Sequence, residues 1–337
     1  MALPSSKYIW RSIESEKIEM REKLRTKVLS RRAKKQKNRV QFTELGEQVY
    51  AALAPKDPID RNIWLFREHW VNESADELEE IPDLSFEERE ELIRKERVKA
   101  IESIVAEKGN DGVLDLCLQG NAAHVIGFLL RRHIFSTNSH LVAVLIQAIH
   151  KFSLLQETKL MSFIRGILCE RKENLSLFDD LYDKLSESDM VKIYLQSPFI
   201  SMTWEKVGLL SEPFKREYWA NVIPNYWSDK NDAAKGVQYL LKANRGQAAF
   251  SYISLFIDDV EPELIFAVLS SMISSSTINE NLPLDSYHLG KAFSRIKESK
   301  NLTLEQKASL EFLYIYVLAP YGRRNEYCDI EKFRNIY

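Results

Sequence analysis

From Ser85 onward, apolar residues recur at intervals of three and four, and two-residue alternation is almost absent. That period turns one side of each segment toward a core and the other toward water, which describes amphipathic helices. Leu141, Val144, Leu145, Ala148, Ile149 and Phe152 keep the spacing, and Val142 and Ile146 broaden the stripe, so this helix should be buried on most sides. The same reading predicts helices over 160–169, 177–185, 188–195, 233–242, 246–257, 262–273, 284–296 and 303–318. Only 11 glycines and 10 prolines punctuate 337 residues. Sheets need turn residues more often than that, so short-looped helices are favoured. The expected fold is all-α, either an irregular helical-repeat (α-solenoid-like) array or a multi-helix bundle.

Local signals mark several boundaries. Asp57-Pro58 suits a helix start, with aspartate as N-cap and proline at the first helical position. Ser85-x-x-Glu88 and Thr303-x-x-Gln306 are capping boxes by pattern. Gly109-Asn110-Asp111-Gly112 predicts a turn that ends the first long helix, and Gly120 joins helices over 113–118 and 121–132. Val191 to Leu195 alternates like a strand but follows a Ser188-Asp189 cap, and is read as helix. Gly112-Val113-x-x-Leu116 and Gly236-Val237-x-x-Leu240 are each followed by an alanine pair, Ala122-Ala123 and Ala248-Ala249. Small residues there would let helix backbones approach closely. Three segments result: a basic helix over 1–40, aromatic-rich helices with an acidic loop over 41–84, and a helical region over 85–337.

Charge is uneven although the net is only −2. Between Arg21 and Arg39 stand ten bases against one acid, Glu22. Between Glu73 and Glu96 stand eleven acids against three bases. The basic segment has few apolar residues to bury, so it should protrude or lie on a partner. Arg31, Arg32, Lys34, Lys35, Lys37 and Arg39 are its densest part and the candidate site for nucleic acid or an acidic partner. No aromatic residue lies between Arg11 and Phe42 for stacking on bases, so nucleic-acid binding there would follow the backbone and not the sequence. Pairing with the acidic 73–96 stretch in cis and a plain solvated helix are the other readings of the same charges.

Signatures of chemistry are missing. The chain has no phosphate-cradling glycine loop, no G-x-S-x-G elbow and no zinc-type histidine or cysteine spacing. His69, His124, His133, His140, His150 and His288 read as ordinary core or surface histidines. Asp179, Asp180 and Asp183, with Asp258, Asp259 and Glu261, read as solvated faces. Cys117 and Cys169 lie in apolar helical runs, and Cys328 is far from both, which suggests small core residues in a reduced, cytoplasmic protein. The first residues lack the apolar stretch of a signal peptide, and the apolar run 141–149 is too short for a membrane span of about 20 residues. Neither a cofactor nor a metal is expected, and catalysis is not expected either. An enzyme site assembled from separated residues, such as His124 or His288 with carboxylates, is the remaining alternative.

Aromatic residues concentrate in two stretches, Trp64, Phe66 and Trp70, then Trp204, Phe214, Tyr218, Trp219, Tyr226 and Trp227. Core packing is their default use, and a groove lined by Trp219 and Trp227 is the functional alternative. Asn62-Ile63-Trp64-Leu65-Phe66-Arg67-Glu68-His69-Trp70-Val71, the stretch from Phe214 to Tyr218-Trp219, and Leu310-Glu311-Phe312-Leu313-Tyr314 with Tyr321-Gly322-Arg323-Arg324 downstream carry a resemblance. They resemble the α-helical repeat regions of large bacterial proteins, some of them linked to phage defence. The resemblance implies a sensing or scaffolding array with a protein partner. It transfers no active-site residue.

Overall fold

The computed structural model describes residues 16–24, 44–71, 85–169, 174–224, 232–274 and 286–314. Sixteen helices and no strand occur among them, so the fold is all-α. The chain divides into two compact units, Met1–Leu185 and Ser186–Tyr337. That boundary falls inside the 85–337 region, which the sequence leaves undivided. No described helix is long and apolar enough to cross a membrane.

In the first unit the helices are α1 (16–24), α2 (Glu44–Ala52), α3 (Pro58–Asn62), α4 (Phe86–Gln119), α5 (Ala123–Leu129), α6 (Asn138–Lys151), α7 (Glu157–Ile167) and α8 (Asn174–Tyr182). Asp57 caps α3 as its position predicts, accepting the Ile59 N–H at 2.8 Å. The stretch after it tightens into a 3₁₀ turn, Ile63–Phe66. Ser85 and Glu88 close the capping box at the head of α4: Ser85 Oγ accepts the Glu88 N–H, and the Glu88 carboxylate accepts the Ser85 N–H.

Gly109 breaks the helical backbone where the glycine-rich turn is predicted, so α4 is two helices joined across a kink. It takes φ 64°, ψ −157°, kinks the chain, and helical backbone resumes to Gln119. A Cβ at Gly109 would meet nothing within 4 Å, so what only glycine supplies here is the left-handed dihedral.

Close backbone packing in this unit is not at Gly112, where the nearest atoms belong to side chains. It occurs between α5 and α7. A Cβ at Gly127 would overlap the Phe163 carbonyl oxygen, and one at Gly166 the His124 carbonyl oxygen. Around this contact Leu114, Leu116, Cys117, Ile126, Leu145, Ala148, Phe163 and Ile164 are fully buried. Cys117 is thus a core residue, and burial pushes its thiol well above the ordinary range. Cys169 is exposed, contrary to expectation, because it follows the last residue of α7 in a turn.

The second unit contains α9 (Glu187–Leu195), α10 (Ser201–Val207), α11 (Glu212–Asn221), α12 (Ala233–Lys242), α13 (Gly246–Ile253), α14 (Pro262–Ser274), α15 (Ser286–Glu298) and α16 (Leu304–Leu313). The strand-like Val191–Leu195 pattern is helical, and the cap is Ser186, not Ser188: its hydroxyl accepts the Asp189 N–H at 3.2 Å. Thr303 and Gln306 form the expected capping box of α16. The predicted helix 246–257 instead changes to a 3₁₀ segment, Ser254–Asp259, after Ile253.

Helices α10 and α11 have no counterpart in the sequence reading. Their buried residues are aromatic or isolated, and too few for an aliphatic stripe. Phe199, Trp204, Tyr218, Trp219, Tyr239 and Tyr252 form one ring cluster, with Trp219 stacked on Tyr239 at 4.8 Å between centroids. The cluster closes over Gly236, where a Cβ would stand 2.7 Å from Phe199 and 2.8 Å from Trp204 ring atoms. Trp219 is therefore committed to ring packing. Trp227, its suggested groove partner, lies outside the described residues.

Candidate interaction surface

Arg31, Arg32, Lys34, Lys35, Lys37 and Arg39 lie outside the described residues, as does the whole acidic 73–83 stretch. The beginning of the basic run is described, and it is anchored. The Arg21 guanidinium sits 4.1 Å from the Tyr50 ring centroid and donates to the Tyr50 and Arg61 carbonyls at 3.4 and 3.5 Å. Glu22 pairs with Arg67 at 3.3 Å, and Lys23 pairs with Glu19 within α1. These contacts of α1 run to residues 50, 61 and 67.

The segment that carries Trp70 is fixed from two sides. Arg97 is 6% exposed and reaches across from α4. Its Nε donates to the Leu65 carbonyl at 2.9 Å, and its Nη2 donates to the carbonyls of His69 at 2.9 Å and Glu68 at 3.3 Å. Burial lowers the proton affinity of the guanidinium, with Glu90 acting in the opposite sense, and arginine stays charged through shifts of this kind. At the other side Asn121 N–H donates to the Phe66 carbonyl at 3.0 Å. That approach needs glycine at 120, because a Cβ there would strike the Phe66 carbonyl oxygen.

On this fixed segment Trp70 is 56% exposed, and Phe86 at the start of α4 is 65% exposed. Their rings stand 6.4 Å apart, and His69 packs edge-on to Trp70 at 5.1 Å. A concavity of about 310 Å³ opens on the same helix, with Ile93, Val125 and Phe128 among its apolar lining and Glu87, Glu90 and Glu91 among its charged lining. His124 lies 6.3 Å from His69. Burial, then His69 and Arg165, lower the proton affinity of His124 from the ordinary histidine value.

A second concavity, of about 480 Å³, lies where α5 passes through the π-helical turn Leu130–Ile134 to the start of α6. The Phe135 N–H closes that wide turn on the Leu130 carbonyl at 2.8 Å. Arg131 is 9% exposed and donates to Asn138 Oδ1 at 3.3 Å, while Asn138 Nδ2 donates to Ser176 Oγ at 2.8 Å.

No group of three or more His, Cys, Asp or Glu side chains among the described residues is placed to hold a metal ion. No known family, curated protein or solved structure matches this chain.

The sequence reading did not single out Arg97, Phe86 or Arg131. Arg97 had a signal: it occupies the apolar register of α4, between Ile93 and Ala100-Ile101. A cation at such a position is either misplaced or bonded, and here it is bonded. Phe86 had a weaker one, an aromatic directly after a capping serine with no apolar partner in the same turn.

Proposed function

We propose that the chain is a non-catalytic protein-interaction module that engages a partner through the Trp70–Phe86 surface of its first unit. The observation that carries the reading is two large aromatic side chains held in water by a rigid frame. Exposed single apolar residues are ordinary, but a paired tryptophan and phenylalanine are costly to leave solvated. Tryptophan is enriched among the residues that dominate binding energy, and a preorganised anchor loses little entropy on association. The Arg97 bonds to three carbonyls supply that preorganisation. Ile93, Val125 and Phe128 at the neighbouring concavity suit the apolar anchors of a partner helix, and its mixed rim of Glu87, Glu90, Glu91 and Arg94 suits polar flanks.

Purification from native cells at low and high salt tests this reading, comparing wild type with Trp70→Ala/Phe86→Ala. A stoichiometric protein that survives high salt with wild type, and is lost from a variant with unchanged melting temperature, supports it. Retention of the same partner by the variant refutes the assigned surface.

A second reading rests on the ten bases against one acid between Arg21 and Arg39. Under it, Arg31 to Arg39 bind nucleic acid without sequence preference, and affinity falls steeply with salt. Neutralising those six cations would abolish nucleic-acid binding and leave the Trp70–Phe86 partner in place.

A further inference from the structure

We propose that His69 and His124 form a proton-operated latch, which grips the Trp70 segment at neutral pH and loosens it under mildly acidic conditions. As a control on partner binding, the latch rests on the reading of the Trp70–Phe86 surface above. The two rings lie 6.3 Å apart, His69 on the segment and His124 on α5. His69 also packs edge-on to Trp70 at 5.1 Å, so the pair links the anchor ring to α5. Histidine is the side chain whose ordinary charge change falls between pH 5 and 8. The bonds that hold the segment come from the Arg97 and Arg89 guanidiniums and the Asn121 amide, none of which changes charge in that range.

The charges around the pair favour neutral rings. On α7, Arg165 acts on His124, and Lys159 donates to the Leu118 and Gly120 carbonyls. On α4, Arg97 holds the His69 carbonyl, with Glu90 in its field. On the segment itself, Arg67 pairs with Glu22, and the Glu68 carboxylate accepts from Asn121 Nδ2 at 3.3 Å. Among the described residues no carboxylate pairs with either imidazole. Two imidazolium rings would therefore repel each other and Arg165. Burial acts in the same sense: His124 is half-buried, and burial is the first cause that lowers its proton affinity, ahead of His69 and Arg165. Withdrawing the segment takes His69 away and opens that side of His124 to water, so the undocked form binds protons more readily. Linkage fixes the sign. Docking is at full strength above the ordinary histidine value of 6.5 and weakens as pH falls below it. Partner affinity falls with the docked fraction, because only the docked form presents a preorganised Trp70.

Amide hydrogen exchange tests the latch in the full chain. The Asn121 N–H donates to the Phe66 carbonyl at 3.0 Å, so its protection factor, taken against the intrinsic exchange rate at each pH, reads the docked state even when opening is rare. From about pH 7.5 to about pH 5, Asn121 protection should fall about fivefold or more in wild type. It should stay below that of the buried α6 amides throughout, which marks a local opening. His124→Gln should abolish the fall and His69→Gln should reduce it, with the folding of both checked by melting at neutral pH. Constant protection in wild type, protection equal to that of α6, or an undiminished fall in both variants would overturn the proposal. The measurement needs no partner, so a failed latch leaves the assigned partner surface standing, and a failed surface leaves the latch standing.

Discussion

Gly166 in the first unit and Gly236 in the second both stand where a helix is approached too closely for a side chain, yet different things approach them. At Gly166 it is backbone: the His124 carbonyl of the opposing helix, with the reciprocal contact at Gly127. At Gly236 it is the edges of two aromatic rings. A backbone contact between two hydrogen-bonded helices cannot yield unless a whole helix shifts. Rings can turn or slide, so the second contact is forgiving where the first is not.

The comparison ranks the expected costs. Gly166→Ala should destabilise the chain by about 3 kcal/mol, the upper range for overpacking, despite the better helix propensity of alanine. Urea unfolding reads it, and Gly127→Ala/Gly166→Ala should cost much less than the two singles added, because once the helices part both clashes are relieved. Arg97→Met, which strips three carbonyls of their donor, should cost about 2 kcal/mol and uncouple the Trp70 segment from α4. Gly236→Ala should cost about 1 kcal/mol, since only rings must move. A Gly236→Ala cost equal to that of Gly166→Ala would break the comparison.

The aromatic cluster makes a further, smaller prediction of the opposite sign. Tyr218 Oη and Trp204 Nε1 are buried close to each other without a well-formed hydrogen bond, so the phenol is poorly paired at best. Removing the phenol as Tyr218→Phe should leave stability unchanged or raise it by up to about 1 kcal/mol, because a poorly paired buried hydroxyl is a liability. In the first unit His124 has the corresponding pH signature. Its folded-state proton affinity is lowered, so below the ordinary histidine pKa of 6.5 the unfolded chain binds the extra proton and stability falls. At higher pH that penalty is absent. His124→Gln should flatten this part of a stability-against-pH curve, and an unchanged slope would show that another group controls it.

How far the sequence reveals all this depends on the kind of contact. Helix existence is legible because the aliphatic period of α6, α12 and α14 is local, and caps at Asp57, Ser85 and Thr303 are local too. Helices α10 and α11 escape because a few aromatics bury them, leaving no stripe to count. Gly112 and Gly236, each followed by an alanine pair, suggest close packing of helix backbones there. The reciprocal backbone contact is at Gly127 and Gly166, each isolated in an apolar helix, a placement that costs helix propensity unless packing requires it. The candidate surface was half legible. Trp70 stood out in composition, but its exposure depends on Arg97 and Gly120 meeting carbonyls from distant residues, which no local pattern encodes.

The most direct test of the interaction surface is oxidative footprinting of Trp70 and Phe86 in the purified chain and in the complex isolated from native cells. The account predicts that both rings are readily oxidised in the free chain and protected about tenfold or more in the complex, as buried anchors are, while exposed Leu154, Leu155 and Phe312 keep their reactivity. Equal oxidation of Trp70 and Phe86 in the two samples, with a stoichiometric partner present, would contradict it.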